Sequence, residues 1–201
     1  MPTVEIVRFL GSDEFVADNL VLKDALSIVA KTEGCIRPPY YGIQTEDNRT
    51  GYGFVIWESY EHHMKARKKD SYPALLAALK RAHSGPSDVQ HADFDVDVEP
   101  ALDSPVTEVV TLVRKPDVSE KEAMDLVTKL REAMIAQGAC HSVTVGESRE
   151  NKGTLFLLLG WESVQAHYDA VSKGALPEII KELYLVNELE LKHVKLTKYV
   201  E

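Results

Sequence analysis

Two halves of this sequence match each other without a gap, and this repeat constrains the fold more than any other feature. A single offset of 104 residues aligns Gly34 with Gly138, Gly42 with Gly146, Trp57-Glu58-Ser59 with Trp161-Glu162-Ser163, His63 with His167, and Pro73 with Pro177. A shared tripeptide and several matched anchors in one register do not arise readily by chance. The chain is therefore predicted to contain two copies of one structural unit.

The length of 201 residues fits two domains of about 100 residues each. We place the first domain at residues 1–99 and the second at residues 106–201. Residues 100–105 between them begin and end with proline and contain small or polar residues, which is typical of a linker.

Each copy shows the element order β-α-β-β-α-β. In the second copy, Ser119 and Glu122 form a capping box and Gly138 provides a stop signal for the helix. The prolines 73 and 177 predict a break in the second helix of each copy. The alternating segment 93–98 is predicted to be the last strand of the first copy.

This order is that of the ferredoxin-like split βαβ unit, with both helices on one face of a four-stranded antiparallel sheet. The other sheet face would carry exposed apolar residues, which is unfavourable at about 25 cal/mol per Å². Two fused copies can cover these faces for each other. The predicted fold class is therefore α+β, with two tandem ferredoxin-like domains forming an intrachain dimeric α/β barrel.

Composition excludes several kinds of function. The net charge is −9, and the short basic run at residues 65–69 is best explained as a solvated helix face, so we expect no nucleic-acid partner. No apolar run approaches the ~20 residues of a membrane helix, and the N-terminus lacks the pattern of a secretory signal. Cys35 and Cys140 are expected to be reduced thiols in a cytoplasmic protein.

The pattern W-E-S-x-x-x-H, present at Trp57–His63 and Trp161–His167, resembles the antibiotic-biosynthesis-monooxygenase and stress-responsive dimeric α/β-barrel group. The resemblance implies a cofactor-independent monooxygenase that oxidises a small aromatic, polyketide or oxylipin-like molecule. The group also contains polyketide cyclases, haem-degrading enzymes and proteins without known activity. A non-catalytic ligand-binding or stress-response protein is therefore the alternative.

The resemblance implies a pocket between each sheet and its own helices, with His63 and His167 as catalytic residues. A histidine suits this role because its pKa lies near neutral. The predicted substrate-binding residues are Trp57, Tyr41, Tyr52, Trp161 and His193. The alternatives are structural histidines, tryptophans in the core, and Tyr41 packing against the sheet.

The first half holds most of the aromatic side chains, so it is the preferred active half. No Cys/His cluster has metal-ligand spacing and no dinucleotide fingerprint is present, so no metal and no cofactor are predicted. A haem is implied only by the resemblance. The expected partner is a small apolar or aromatic molecule, and a homodimer of the fused pair stays open.

Overall fold

The computed structural model describes residues 2–138 and 140–201, so Met1 and Ala139, which fall within the two predicted domains, lie outside the described residues. The chain divides into two compact units. The first comprises the residues up to Asp93 together with Val194–Glu201, and the second comprises Phe94–His193. The domain boundaries at residues 99 and 106 stay a prediction.

The first unit follows the predicted element order. Its elements are β1 (Thr3–Gly11), α1 (Asp13–Ala17), a 3₁₀ turn (Asn19–Leu22), α2 (Lys23–Ala30), β2 (Tyr40–Gln44), β3 (Thr50–Trp57), α3 (Tyr60–Ala66), α4 (Tyr72–Leu79) and β4 (His83–Phe94). The strands form an antiparallel sheet in the order β4-β1-β3-β2. Residues Val194–Lys198 at the end of the chain pair with β2 as a further strand.

The second unit repeats this arrangement. Its elements are α5 (Glu99–Leu102), β5 (Val106–Arg114), α6 (Glu120–Gln137), β6 (Ser142–Ser148), β7 (Thr154–Trp161), α7 (Val164–Val171), α8 (Leu176–Val186) and β8 (Asn187–Lys198), whose residues from Val194 onward belong to the first unit. The strand order β8-β5-β7-β6 equals that of the first unit. The predicted class of two tandem ferredoxin-like α+β domains is confirmed.

The helix signals in the sequence act as expected. The Ser119 hydroxyl accepts a hydrogen bond from the Glu122 amide at 3.2 Å, and α6 ends at Gly138 with φ of 60°. The Ser163 hydroxyl caps α7 by accepting from the Ala166 amide at 3.0 Å. Pro177 lies in the first turn of α8, so the predicted helix break is confirmed there.

Three details differ from the sequence analysis. The first helix of the first copy is interrupted at Asp18, whose carboxylate caps a new turn by accepting from the Leu20 amide. The last strand of that copy is β4 and not residues 93–98, because the polar residues of β4 pair with β1 despite their low hydrophobicity. The segment 100–105 includes the end of α5, where Ala101 and Leu102 are buried.

Candidate functional site

Four polar or aromatic side chains meet inside the first unit, and we call Glu5, Trp57, His63 and His91 the first quartet. The Trp57 indole N–H donates to Glu5 Oε2 at 2.8 Å. His63 Nδ1 lies 2.7 Å from His91 Nε2 and 3.7 Å from Glu5 Oε2. The quartet is therefore a connected network, with the carboxyl group held between an indole and an imidazole.

The second unit holds an equivalent network, the second quartet of Glu108, Trp161, His167 and His193. The Trp161 indole N–H donates to Glu108 Oε2 at 2.6 Å. His167 Nδ1 lies 2.9 Å from His193 Nε2, and His167 Nε2 lies 3.7 Å from Glu108 Oε1. The W-E-S-x-x-x-H pattern therefore marks one part of a duplicated four-residue arrangement.

Local structure explains why these residues meet. Trp57 is the last residue of β3, and the extended Ser59 turns the chain into α3, so that His63 lies one helical turn further on. The Trp57 and His63 rings stack with centroids 4.7 Å apart and an interplanar angle of 5°. Glu5 and His91 are direct partners in the β1–β4 register. The sheet therefore supplies the carboxyl group, the indole and one imidazole, and the helix supplies the other imidazole.

Burial changes the acid–base properties of both quartets. It raises the pKa of Glu5 to about 7, against the opposing effect of the Trp57 hydrogen bond, and raises the pKa of Glu108 to about 8. Burial, assisted by the neighbouring histidine, lowers the pKa of His63 to about 3 and that of His167 to about 4. At neutral pH the two imidazoles are therefore neutral, and Glu5 exchanges between its acid and carboxylate forms.

A cavity of about 210 Å³ lies beside the first quartet, between the sheet and the helices α2, α3 and α4. Its wall includes Glu5, Trp57 and His63 at the polar side. The remaining wall is mainly apolar or aromatic and includes Val7, Phe9, Leu26, Tyr40, Tyr41, Val55, Leu75 and Leu79. The cavity can therefore enclose a small apolar molecule with one polar group directed at the quartet.

The corresponding cavity of the second unit has only about 60 Å³. The matched β-strands explain the difference. Gly53 and Val55 border the first cavity, whereas Leu157 and Leu159 occupy the same strand positions, four and two residues before the tryptophan, in the second. The larger leucine side chains fill the space that the first unit leaves open.

No protein-family model and no curated protein matches the sequence. A candidate monooxygenase from Fusobacterium nucleatum superposes with a TM-score of 0.73 over 100% of this chain and 98% of its own, at 13% identity. The chain has the dimeric α/β-barrel fold.

Two further solved structures share the dimeric α/β-barrel fold with this chain. A candidate monooxygenase from Lactobacillus acidophilus superposes with a TM-score of 0.66 over 98% of this chain and 96% of its own, at 10% identity. An anthrone oxidase-like protein gives a TM-score of 0.70 over 98% of this chain and 91% of its own, at 13% identity. The resemblance inferred from the W-E-S-x-x-x-H pattern is confirmed for the fold.

The structure brings together part of the predicted site of this α/β barrel. His63, Trp57 and Tyr41 line the larger cavity. Tyr52 is buried on the opposite face of β3, since it is an odd number of residues from Trp57, and it is absent from the cavity wall. The position of Tyr52 therefore does not support its predicted substrate-binding role in this cavity.

In the second unit, the predicted residues belong to the second quartet. His167 borders the smaller cavity. Trp161 and His193 are completely buried. Trp161 donates a hydrogen bond to Glu108, and His193 is hydrogen-bonded to His167. Binding and catalytic roles for these three residues stay predictions.

Glu5, Glu108 and His91 are functional-site residues that were not predicted from the sequence. A signal was present, because a glutamate lies in the middle of an apolar strand in both copies and a histidine lies in both last strands. The two glutamates are 103 residues apart, and His91 and His193 are 102 apart. The offset of 104 residues therefore aligned neither pair, and differences in loop length concealed two members of the first quartet and one member of the second.

Metal-ligand geometry occurs once in the part of the chain that the structure describes. Glu108, His167 and His193 each offer one ligand atom, and these atoms all lie within 4.8 Å of one another. The sequence analysis predicted no metal site, since these residues are far apart in the sequence. Among the described residues, no helix is long and apolar enough to cross a membrane.

Proposed function

We propose that the first unit is a cofactor-independent monooxygenase for small, enolisable aromatic molecules. One observation carries the proposal: the carboxyl group of Glu5, with a pKa raised to about 7, lies in the wall of an apolar cavity of about 210 Å³. A general base is most effective when its pKa is close to the working pH. The monooxygenase and anthrone oxidase-like names of the structural neighbours support the same class of reaction.

The reaction needs no reductant. The Glu5 carboxylate removes a proton from the substrate, and the resulting carbanion-like enolate forms a C–O bond to O₂. The protonated Glu5 returns its proton to the peroxide. The regenerated carboxylate then removes the second proton from the same carbon while the O–O bond breaks, leaving a carbonyl and hydroxide. Hydroxide takes the proton from Glu5 and becomes water. The net change converts R₂CH₂ and O₂ into R₂C=O and H₂O.

The other quartet members position the reacting groups. The Trp57 indole fixes one oxygen of Glu5 by its 2.8 Å hydrogen bond. His63 is a poor base, because burial lowers its pKa to about 3, and as a neutral imidazole it can orient the substrate oxygen. The hydrogen bond between His63 Nδ1 and His91 Nε2 requires one nitrogen to donate and the other to accept, so it couples the tautomers of the two rings. We therefore assign the role of base to Glu5, and His63, the predicted catalytic residue, takes the role of a positioning group.

The cavity volume limits the substrate. A cavity of about 150 Å³ lined by apolar residues encloses benzene. A volume of about 210 Å³ therefore suits one ring or two fused rings. A porphyrin is too large for it, so the haem implied by the family resemblance does not fit this cavity.

The direct test is oxygen uptake by the full chain with naphthoresorcinol, an enolisable bicyclic phenol. The expected product is the corresponding hydroxynaphthoquinone, formed in equal amount to the O₂ consumed and unaffected by a metal chelator. Binding without O₂ uptake would favour the non-catalytic ligand-binding alternative. The proposal fails if mono- and bicyclic phenols are neither bound nor oxidised.

The rate should depend on pH through Glu5. Since the carboxylate is the active form, kcat/KM is expected to rise with pH through about 7 and to level off above it. A pH profile of initial O₂ uptake measures this dependence. A profile that falls with rising pH across this range would contradict the role of base.

Gly53→Leu is expected to abolish ligand binding in the first cavity. The variant introduces the residue that fills the equivalent place in the second unit, Leu157. A Cβ at Gly53 would lie 3.7 Å from its nearest side-chain atom, Val7 Cβ, so the first carbon of the new side chain would not clash. Fluorescence titration with naphthoresorcinol measures the loss.

Gly53→Ala is the matched control, because it adds one methyl group in ordinary van der Waals contact. This variant should retain binding within a few-fold. Equal binding by the leucine variant and the wild-type chain would show that the ligand site lies elsewhere.

A further inference from the structure

We infer that the second unit binds one divalent transition-metal ion through Glu108, His167 and His193. This inference is independent of the proposed oxygenase function, which concerns the first unit. Two imidazoles and one carboxylate form a common ligand set for Zn²⁺, Fe²⁺ and Co²⁺. The inference stands on the positions of these three side chains and on the space beside them.

The positions fit a single ion. One ligand atom from each residue lies within 4.8 Å of the others, so a point between them is within reach of all three. His167 Nδ1 and His193 Nε2 are 2.9 Å apart, and two nitrogens on one tetrahedral ion with bonds of about 2.0–2.1 Å are roughly 3.3–3.4 Å apart, so a small movement of the rings would admit the ion. An ion would replace the hydrogen bond between these imidazoles.

The surroundings support coordination. The Trp161 indole N–H holds Glu108 Oε2 at 2.6 Å and leaves Oε1 for a metal. Such a contact from a neighbouring group is a regular part of metal sites, because it fixes the orientation of the ligand. All three ligand residues are buried, so solvent does not compete freely for them.

The cavity beside Glu108 and His167 supplies the remaining coordination position. Its volume of about 60 Å³ exceeds the ~10–15 Å³ that one water molecule requires. Three protein ligands and one water complete a four-coordinate site. The space is too small for the aromatic substrate proposed for the first unit, so the two quartets would serve different ligands.

The first quartet provides an internal comparison. It contains the same residue types with similar contacts, since His63 Nδ1 lies 2.7 Å from His91 Nε2 and 3.7 Å from Glu5 Oε2. Across the described residues, the metal-ligand spacing is met by the second quartet and not by the first. We therefore expect one ion per chain.

The test is a titration of the full chain, first treated with a chelator, with Co²⁺ alone. The expected result is one equivalent of bound cobalt with visible absorption bands of a nitrogen- and oxygen-ligated ion. At about hundredfold excess over Kd, the melting temperature should rise by roughly 5–10 °C. Absence of stoichiometric binding by the wild-type chain would overturn the inference, whether or not the first unit turns over a substrate.

Matched variants locate the ion. His193→Ala should lose the cobalt bands, whereas His91→Ala, its equivalent in the first unit, should keep them. Glu108→Gln provides a second variant with little change in volume, for use if His193→Ala does not fold by circular dichroism. Retention of the bands in both second-unit variants, or their loss in His91→Ala, would place the ion elsewhere and refute the assignment.

Discussion

Glu5→Gln is expected to lower kcat/KM for oxygen uptake by about 10²–10⁴-fold, the usual contribution of a general base. Glutamine keeps the size of the side chain and can still accept the Trp57 hydrogen bond through its amide oxygen. It cannot take up a proton. The loss should therefore appear in turnover, with the far-ultraviolet circular dichroism and the binding of naphthoresorcinol close to those of the wild-type chain.

Glu108→Gln is the matched control for this prediction. The second quartet borders a cavity of about 60 Å³, which cannot hold the proposed substrate. This variant should keep turnover within a few-fold of wild type. Equal losses in the two variants would show that the duplicated carboxyl group serves stability alone, and full activity of Glu5→Gln would remove Glu5 from the mechanism.

Trp161→Ala is expected to lower the free energy of unfolding by about 3–5 kcal/mol, the range for removing a large aromatic side chain from a core. Trp161 is completely buried within the apolar cluster of the second unit. The substitution also removes the hydrogen bond to Glu108 and leaves a buried carboxyl group without its donor. Urea denaturation followed by circular dichroism measures the change.

Trp57→Ala should cost less, because Trp57 already borders an open cavity and loses fewer contacts. The sequence contains two tryptophans, one in each unit, so each variant retains one fluorescent reporter of the unchanged unit. In Trp161→Ala, the Trp57 signal reports the first unit. A destabilisation by Trp57→Ala as large as that by Trp161→Ala would contradict the difference in packing between the units.

The fold could be predicted because its determinants repeat in the sequence. The tripeptides at residues 57–59 and 161–163 fixed the register of two copies, and capping residues such as Ser119 act locally. Local signals survive in any tertiary context that keeps the helix end exposed. The strand β4 escaped prediction because its pairing with β1 is non-local and its residues are mostly polar.

Only part of the site, the tryptophans and the histidines that the sequence analysis named, could be predicted, and the reason is physical. Each quartet combines a helix residue with residues from three strands, and the partner of Glu5 on β4 is 86 positions away in the sequence. No local pattern encodes that contact. The unequal cavities depend on side-chain volume at two strand positions, Gly53 and Val55 against Leu157 and Leu159. That these positions face the helices is known only once the strand register is known.

The last strand gives the tail of the chain a role in the first unit. Residues Val194–Lys198 pair with β2, and Tyr199 packs in an apolar cluster with Phe9 and Tyr41, which line the larger cavity. A fragment that stops near residue 99 would leave β2 as an unpaired edge, prone to association with other chains. The two halves therefore cannot be separated without loss. Proteolytic removal of the carboxyl-terminal residues would disturb a cavity whose described lining residues all belong to the amino-terminal half.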